Sequence, residues 1–291
     1  MKAVGFYILL PIIYLFMLIP YPFFYGLCDF IFFVVYYVVG YRKKVVFQNL
    51  RNAFPEKSDE EIKKIRRKFY RHLCDVFLEM FKTLTIRRSV MIKRCKISPS
   101  AKALFDELAA QNKSFIAILG HWGNWEWASS TFPLQCKHQL YMIYHPIRNP
   151  HFEWLTKKLR TRFGNKVVPM NDTFKTILAN RDELNVFGFI GDQTPPPEGA
   201  YWTTFLNQDT PVYNGTEKIA RKLNRPVVYI SIKKYKRGHY EVFAETLFEH
   251  PAQTTEGEIT ETHTRRLEKD ILSQPETWLW SHRRWKHSRK K

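Results

Sequence analysis

A histidine and a glutamate, His121 and Glu126, lie five positions apart in the segment FIAILGHWGNWEW (residues 115–127). On a regular helix this step leaves the two side chains about 140° apart, so they can meet only if the chain turns between them. Gly123 and Asn124 favour such a turn. A strand that turns into a helix here would let the Glu126 carboxylate reach one imidazole nitrogen and leave the other to accept a proton. The motif GHWGNWE contains no serine or cysteine, so His121 would activate a substrate hydroxyl. A histidine capping a turn and a glutamate on a solvated helix fit the same spacing.

Two further predicted strands end in polar, turn-prone sequences, YHPIRNP (144–150) and GDQTPPP (191–197). In an α/β sheet, ligands gather at the carboxyl ends of the strands. Three such ends at one edge would therefore build one pocket, and this convergence is stronger evidence than any single motif.

Four side chains in these two segments are candidate ligands of a substrate. His145 and Arg148 could hold a phosphate or an acyl-carrier group, or stabilise an oxyanion, although a turn with an exposed arginine is equally consistent. Asp192 and Gln193 could hydrogen-bond substrate hydroxyls, support the His121–Glu126 dyad, or cap a proline-stiffened loop.

The last third of the chain offers weaker candidates for substrate binding. In NGTEKIARKLNRPVVYI (214–230), Gly215 begins a predicted helix whose N-terminal amides could receive a phosphate. In PETWLWSHRRWKHSRKK (275–291), Arg283 and Arg284 are interleaved with tryptophans. That mixture suits a lipid headgroup zone, stacked nucleobases or a solvated end of the chain.

The histidines and cysteines do not have the spacing of a metal site. His121, His138, His145 and His151 form no i,i+4 pair and have no cysteine partners, so no metal is predicted. The four cysteines form no CxxC pair, which favours free thiols in a reducing compartment.

The elements that must position these residues alternate between strands and helices after residue 41. A capping-box sequence, Ser58 to Glu61, opens a long amphipathic helix with apolar residues at steps of three and four. The alternation predicts an α/β fold with a central, largely parallel sheet flanked by helices, preceded by a hydrophobic membrane-anchor helix region. The predicted strands are 115–119, 140–144, 166–169, 185–190, 226–232 and 240–244, and the later helices are 150–163, 174–179, 215–223 and 258–272.

The first 41 residues are apolar and contain only two charged side chains, Lys2 and Asp29. Spanning a bilayer takes about 20 helical residues. The runs 5–19 and 23–40 are each slightly short and are separated by Pro20-Tyr21-Pro22. A kinked anchor, a re-entrant hairpin and a helix lying in the interface all fit. We predict a membrane anchor at 1–41 and a catalytic domain with a basic tail at 42–291.

The net charge of +19 lies entirely on the part after residue 41 and calls for an anionic partner. Nucleic acid, an anionic membrane and a phosphorylated substrate remain open on charge alone. The aromatic content of 16% leaves apolar surface for a lipid or a membrane beyond what a core needs.

In this order, the blocks NLRNAFPEKS (49–58), GHWGNWE, YHPIRNP, GDQTPPP, FLNQDTPVYNGTEKIARKLNRPVV (205–228) and PETWLWSHRRWK resemble the bacterial lipid A late acyltransferases, a family within the His-x4-Asp/Glu lipid acyltransferases. The resemblance covers nearly the whole chain. It implies transfer of a fatty acyl chain from an acyl-carrier-protein or CoA thioester to a hydroxyl of a phosphorylated lipid, at the cytoplasmic face of a bacterial inner membrane. His121 would be the general base and Glu126 its orienting carboxylate, with Asn124 in the same motif at the substrate. No cofactor is implied, because the thioester is already activated.

This sequence departs from the family at one position, where His145 stands in place of a usual arginine. Arg148 would then supply the cation for the oxyanion, or the pocket would accept a different headgroup. A lysophospholipid or aminolipid O-acyltransferase with the same dyad is the alternative within the class. A membrane-tethered nucleic-acid-binding protein and a non-catalytic scaffold are the alternatives outside it, although we expect no nucleic acid as partner.

Overall fold

The computed structural model describes residues 3–287 and 289. Met1 and Lys2 of the predicted anchor, and Ser288, Lys290 and Lys291 of the predicted basic tail, lie outside the described residues. The helices in chain order are α1 (Ala3–Leu18), α2 (Tyr21–Phe33, continued by π-helical turns over Val34–Val39), α3 (Lys43–Ala53), α4 (Asp59–Lys82), α5 (Arg88–Arg94), α6 (Pro99–Ala110), α7 (Trp125–Thr131), α8 (Pro150–Thr161), α9 (Thr173–Ala179), α10 (Gly215–Leu223) and α11 (Glu258–Ser273).

The central sheet has seven strands, and five of its six neighbouring pairs are parallel; β8 and β9 form the antiparallel pair. The spatial order is β1-β9-β8-β2-β5-β3-β4, while β6 and β7 form a separate hairpin. This confirms the predicted α/β fold. The strands are β1 (Cys95–Ile97), β2 (Phe115–Leu119), β3 (Gln139–Tyr144), β4 (Lys166–Pro169), β5 (Asn185–Ile190), β6 (Tyr201–Phe205), β7 (Gln208–Val212), β8 (Val227–Lys236) and β9 (His239–Phe248).

Strand β2 lies in the middle of the sheet and is covered on both faces. Ile116 and Ile118 pack on one side with α4 and α11, whereas Phe115 and Ala117 pack on the other with α6 and α7. Such burial explains why the strand is an uninterrupted apolar run rather than an alternating one.

Helix α4 begins where the sequence predicted. The Ser58 side chain accepts from the Glu61 backbone, and the Glu61 carboxylate accepts from the Ser58 backbone. The helix then passes behind the carboxyl end of β2, so its buried polar side chains contact the loop that follows that strand.

Helices α1 and α2 pack on the rest of the chain. Phe6 of α1 lies in a cluster with Leu155 and Leu159 of α8, while Phe24 and Cys28 of α2 are buried. The stretch Tyr21–Val39 is long and apolar enough to cross a membrane by length and composition.

Candidate active site

The loop after β2 makes the turn that the sequence predicted at Gly123. Gly123 has a φ of +70°, a left-handed conformation that disfavours side chains. A Cβ atom at this position would lie 2.0 Å from the carbonyl oxygen of Ile232, so even alanine is excluded sterically. The turn separates His121 at the end of the strand from α7, where Glu126 stands in the first turn.

His121 is held by Asp192 and not by Glu126. The imidazole Nδ1 lies 2.6 Å from Asp192 Oδ1, and the His121 backbone NH donates to Asp192 Oδ2 at 2.7 Å. Because ionised aspartate can only accept, Nδ1 carries the proton and Nε2 is left as the acceptor. This is the tautomer that a general base requires, supplied by a residue that follows β5.

Asp192 is buried and ionised. Burial by itself opposes its charge, but His121 and the Trp278 indole, which donates at 2.8 Å, lower the pKa of this carboxyl to about 2. Asp192 therefore carries a fixed negative charge beside the imidazole throughout the physiological pH range.

The prediction that the Glu126 carboxylate accepts a hydrogen bond from His121 is wrong. Glu126 instead forms a two-point ion pair with Arg160 of α8, with Nη2 to Oε1 at 2.5 Å and Nε to Oε2 at 3.1 Å. Burial opposes the arginine's charge, yet Glu126 raises the pKa of Arg160 above its usual value. Both oxygens of the Glu126 carboxylate accept from the Arg160 guanidinium, which explains why this carboxylate does not also accept from His121.

The predicted strand ends meet at one pocket. β3, β5 and β2 are neighbours in the sheet, and His121, His145 and Gln193 from their three loops line a cavity of about 500 Å³. The inner wall of the cavity is apolar, and Glu126 and Arg160 also line the cavity. The apolar lining includes Phe105, Phe115, Ala117, Phe132, Leu140 and Val242.

Helix α4 fixes the loop between His121 and α7 by buried polar contacts. His72 Nε2 lies 3.1 Å from the Gly123 carbonyl oxygen, while Lys234 lies 3.1 Å from Nδ1. Burial lowers the pKa of His72 well below its usual value and Lys234 acts in the same direction, so the ring is neutral and donates from Nε2.

Asn124 and Glu79 make the second contact between the loop and α4. The Asn124 Oδ1 caps α7 by accepting from the Trp127 backbone, and its Nδ2 donates to Glu79 at 2.8 Å. Tyr240 and Tyr25 also donate to the Glu79 carboxylate. Asn124 is fully buried and does not line the cavity, so its predicted role in substrate binding gives way to a structural one.

Glu79→Gln is expected to loosen this loop. The carboxylate accepts three hydrogen bonds, and an amide NH2 would face at least one donor, which costs about 1–3 kcal/mol for a buried group. We expect a lower Tm together with a fall in kcat that exceeds the change in KM. Thermal unfolding and steady-state kinetics measure both, with Glu107→Gln on the exposed end of α6 as the matched control; an unchanged Tm and kcat would contradict the assignment.

The remaining predicted site residues divide between the pocket and the outside. Gln193 Nε2 lies 3.5 Å from His121 Nε2, and Gly215 lines the cavity at the start of α10. His145 is exposed and also lines it. Arg148 is exposed and does not line the cavity, so Arg160 is the arginine that stands there.

The C-terminal segment contributes support to the site. Trp278 and Trp280 are buried, so they are core residues, and neither can stack on a nucleobase or enter a headgroup zone. Arg283 is exposed, Arg284 is buried, and neither lines the cavity. The backbone of Leu279 donates to the His121 carbonyl, which ties this segment to the loop after β2.

Sequence reasoning missed Arg160, and it assigned the tryptophans of the C-terminal segment to a headgroup zone or to nucleobases instead of to Asp192. Arg160 lies inside the predicted helix 150–163 among other cations, and nothing in the spacing distinguishes it from them. Among the described residues, no three of histidine, cysteine, aspartate and glutamate come together as metal ligands would.

Comparison with known proteins gives one consistent result. The model of the bacterial lipid A biosynthesis acyltransferase family matches residues 1–287. The lipid A biosynthesis palmitoleoyltransferase of Escherichia coli (strain K12) is 23% identical over 248 residues, 84% of this chain and 79% of that protein. A lipid A biosynthesis acyltransferase of Haemophilus influenzae is 22% identical over 239 residues, 80% of this chain and 72% of that protein.

Proposed function

We propose a specific reaction for this chain, which belongs to the bacterial lipid A biosynthesis acyltransferase family and is an acyltransferase. The reaction moves a fatty acyl group from a thioester to a hydroxyl of a lipid A precursor. The observation that carries the proposal is the apolar cavity of about 500 Å³ with the His121–Asp192 pair on its wall. A cavity of that size and lining suits an alkyl chain, and a polar pair beside it suits the reacting end of the chain.

His121 acts as general base in this proposal. Its Nε2 takes the proton of the acceptor hydroxyl while the oxygen attacks the thioester carbonyl, and the imidazolium then returns a proton to the leaving thiolate. One C–O bond forms and one C–S bond breaks, so no redox change occurs. Asp192 fixes the tautomer and stabilises the imidazolium without touching the substrate, as the carboxylate of a catalytic triad does.

The Glu126–Arg160 pair supplies the positive charge in this proposal. The ion pair uses Nε and Nη2 of Arg160 and leaves Nη1 outside it. A cation lining the cavity stabilises the negative oxygen that develops on the thioester carbonyl. Glu126 thus acts by holding Arg160, in contrast to the orienting role that the sequence predicted, and Arg160 takes the place proposed for Arg148.

The charge of the protein bears on its partners. The net charge of +19 attracts an acidic acyl-carrier protein or acyl-CoA as the donor, a phosphorylated lipid as the acceptor, and an anionic membrane.

We place residues 1–41 as the membrane attachment and 42–291 as the catalytic domain, which faces the cytoplasm at a bacterial inner membrane. Trp278 and Trp280 are buried, so they cannot serve as the stacking surface that the nucleic-acid alternative needs.

The proposed reaction is tested with the purified protein in detergent. Acyl-carrier-protein and CoA thioesters are offered with a lipid A precursor or with a lysophospholipid, and acyl transfer is followed by mass spectrometry. We expect transfer to the lipid A precursor. Transfer to the lysophospholipid alone would replace the acceptor, and no transfer to either would overturn the reaction.

Gly188→Val is expected to shorten the acyl chain that the enzyme accepts. Gly188 lines the cavity, and its nearest neighbours would lie 3.6 Å and 3.8 Å from an added Cβ, so the Cβ fits at ordinary contact distance and the valine methyl groups are expected to take volume from the cavity. Competition between thioesters of different chain length measures the preference. We expect a shift of about tenfold toward shorter chains, which is in the range of discrimination that a pocket achieves between substrates differing by one or two methylene groups. Thr176→Val on α9, outside the cavity lining, is the control; equal preferences in both variants would mean that the alkyl chain lies elsewhere.

A further inference from the structure

Helices α1 and α2 expose many large apolar side chains. Phe23 is 73% exposed, and Leu15 and Val38 are each 68% exposed. Phe77 of α4 extends the set beyond the two helices. We call these residues the apolar face; its other members are Tyr7, Ile8, Ile12, Phe16, Leu18, Phe30, Phe33, Tyr37 and Val39.

The length of α2 is compatible with two arrangements in a membrane. The stretch Tyr21–Val39 has 19 residues, which at 1.5 Å per residue spans about 28 Å, close to the thickness of the hydrocarbon core. A helix of this length either crosses the bilayer or lies along its surface. The contacts of α2 with the rest of the chain distinguish the two.

Helix α2 runs antiparallel beside α4 over most of its length. Tyr25 donates to Glu79 at 2.7 Å, and the ring of Tyr36 lies 5.2 Å from that of Tyr70. If α2 crossed the bilayer, α4 would cross with it. The α4 segment in question carries Arg71, which is exposed and pairs with Asp29 at 3.3 Å, and such an exposed ion pair in hydrocarbon would be costly.

The charge in the middle of α2 leads to the same conclusion. Asp29 is paired with Arg237, with Nη1 to Oδ2 at 2.9 Å and Nη2 to Oδ1 at 3.0 Å. Arg237 lies in the turn between β8 and β9 and also pairs with Asp75 of α4. In a spanning α2, this ionic cluster and the tip of a hairpin of the central sheet would lie near the centre of the bilayer.

We propose that α1 and α2 lie flat in one leaflet, with the apolar face in the hydrocarbon and the catalytic domain on the same side as both helix ends. The proposed occupant of this face is an anionic lipid bilayer. Cations lie beside exposed aromatic rings at the border of the face: Lys43 lies 5.8 Å from the ring of Tyr37, Arg42 5.4 Å from that of Tyr41, and Lys158 4.8 Å from that of Trp154. Aromatic rings with cations beside them match the boundary between acyl chains and anionic headgroups.

This attachment explains how a membrane lipid reaches the pocket, and to that extent it rests on the proposed function. Phe6 of α1 stacks on His151 of α8 at 5.0 Å and contacts Trp154. The same helix α8 carries Arg160 on its other side, at the cavity. A single helix thus separates the proposed lipid surface from the proposed reacting groups.

Labelling from one side of the membrane tests the attachment. Pro20→Cys, between α1 and α2, and Tyr41→Cys, just after α2, are exposed positions at the two ends of α2. Both are treated with a membrane-impermeant thiol reagent in inverted inner-membrane vesicles and in spheroplasts of a Gram-negative host. The wild type gives the baseline, since Cys28, Cys74 and Cys95 are buried and Cys136 is partly buried. Asp182→Cys, on an exposed turn after α9, reports the side of the catalytic domain.

We expect all three variants to react in inverted vesicles and none in spheroplasts. Reaction of Pro20→Cys and Tyr41→Cys from opposite sides would show that α2 crosses and would overturn the proposal. The labelling does not depend on catalysis. Acyl transfer by the same variants in detergent therefore separates a wrong attachment from a wrong reaction.

Binding to vesicles tests the lipid contact itself. Phe23→Asp is expected to reduce flotation with vesicles of phosphatidylethanolamine and phosphatidylglycerol by at least tenfold. Leu272→Asp, a change of the same type at an exposed leucine on α11, is expected to bind as the wild type does. Equal binding by both variants would overturn the assignment of the apolar face.

Discussion

Replacing His121 by alanine is expected to lower kcat for acyl transfer by about 10²–10⁴, the contribution typical of a positioned general base. The imidazole is 15% exposed and faces the cavity through Nε2, whereas its Nδ1 is committed to Asp192. Alanine removes the proton acceptor while leaving the His121 backbone NH to hold Asp192. We therefore expect the fold and the KM for the thioester to change little.

Kinetics with a saturating lipid acceptor measure this effect, and thermal unfolding checks the fold. His138→Ala is the control for loss of an imidazole, since His138 lies outside the cavity and bonds the Lys113 carbonyl. Near wild-type turnover by His121→Ala would remove the base from the mechanism, whatever the acceptor is.

The sequence was sufficient to predict the framework that holds His121. Apolar runs bounded by turn residues predicted strands β2, β4 and β5 with their observed bounds. Burial on both faces explains the apolar composition of β2, whereas β4 is a partly buried edge strand. β8 and β9 begin within one residue of the prediction and extend four residues further, and the added residues of each strand pair with the beginning of the other. The hairpin of β6 and β7 was missed, as was the short strand β1, whose three residues carry no usable period.

The site was predictable in its location but not in its pairing. The convergence of strand ends follows from the parallel topology, so the amino-acid sequence alone was enough to predict it. The partner of His121 could not be predicted in this way, because Asp192 lies 71 positions away and the adjacent Glu126 offered a nearer carboxylate. Which carboxylate pairs with His121 depends on Arg160. This arginine binds Glu126 from α8, a helix whose angle to the sheet the sequence does not fix.

The last expected result distinguishes these two carboxylates. Asp192→Asn is expected to lower kcat by about 10²–10⁴ with little change in KM, as loss of the corresponding carboxylate does in a catalytic triad. An asparagine that keeps its amide toward Nδ1 would favour the tautomer with the proton on Nε2, which cannot accept the proton of a hydroxyl. Because Asp192 does not line the cavity, substrate binding is expected to persist.

Glu126→Gln provides the matched comparison, since it also removes one buried negative charge near the same pocket. It leaves Asp192 on His121 and weakens the hold on Arg160, so we expect a smaller fall in kcat, accompanied by a change in KM as the freed guanidinium shifts toward the ligand. If instead Glu126→Gln abolished turnover and Asp192→Asn retained it, Glu126 would be the residue that orients the base during the reaction. The observed geometry would then describe a resting arrangement, in which Arg160 must release Glu126 before the histidine can act.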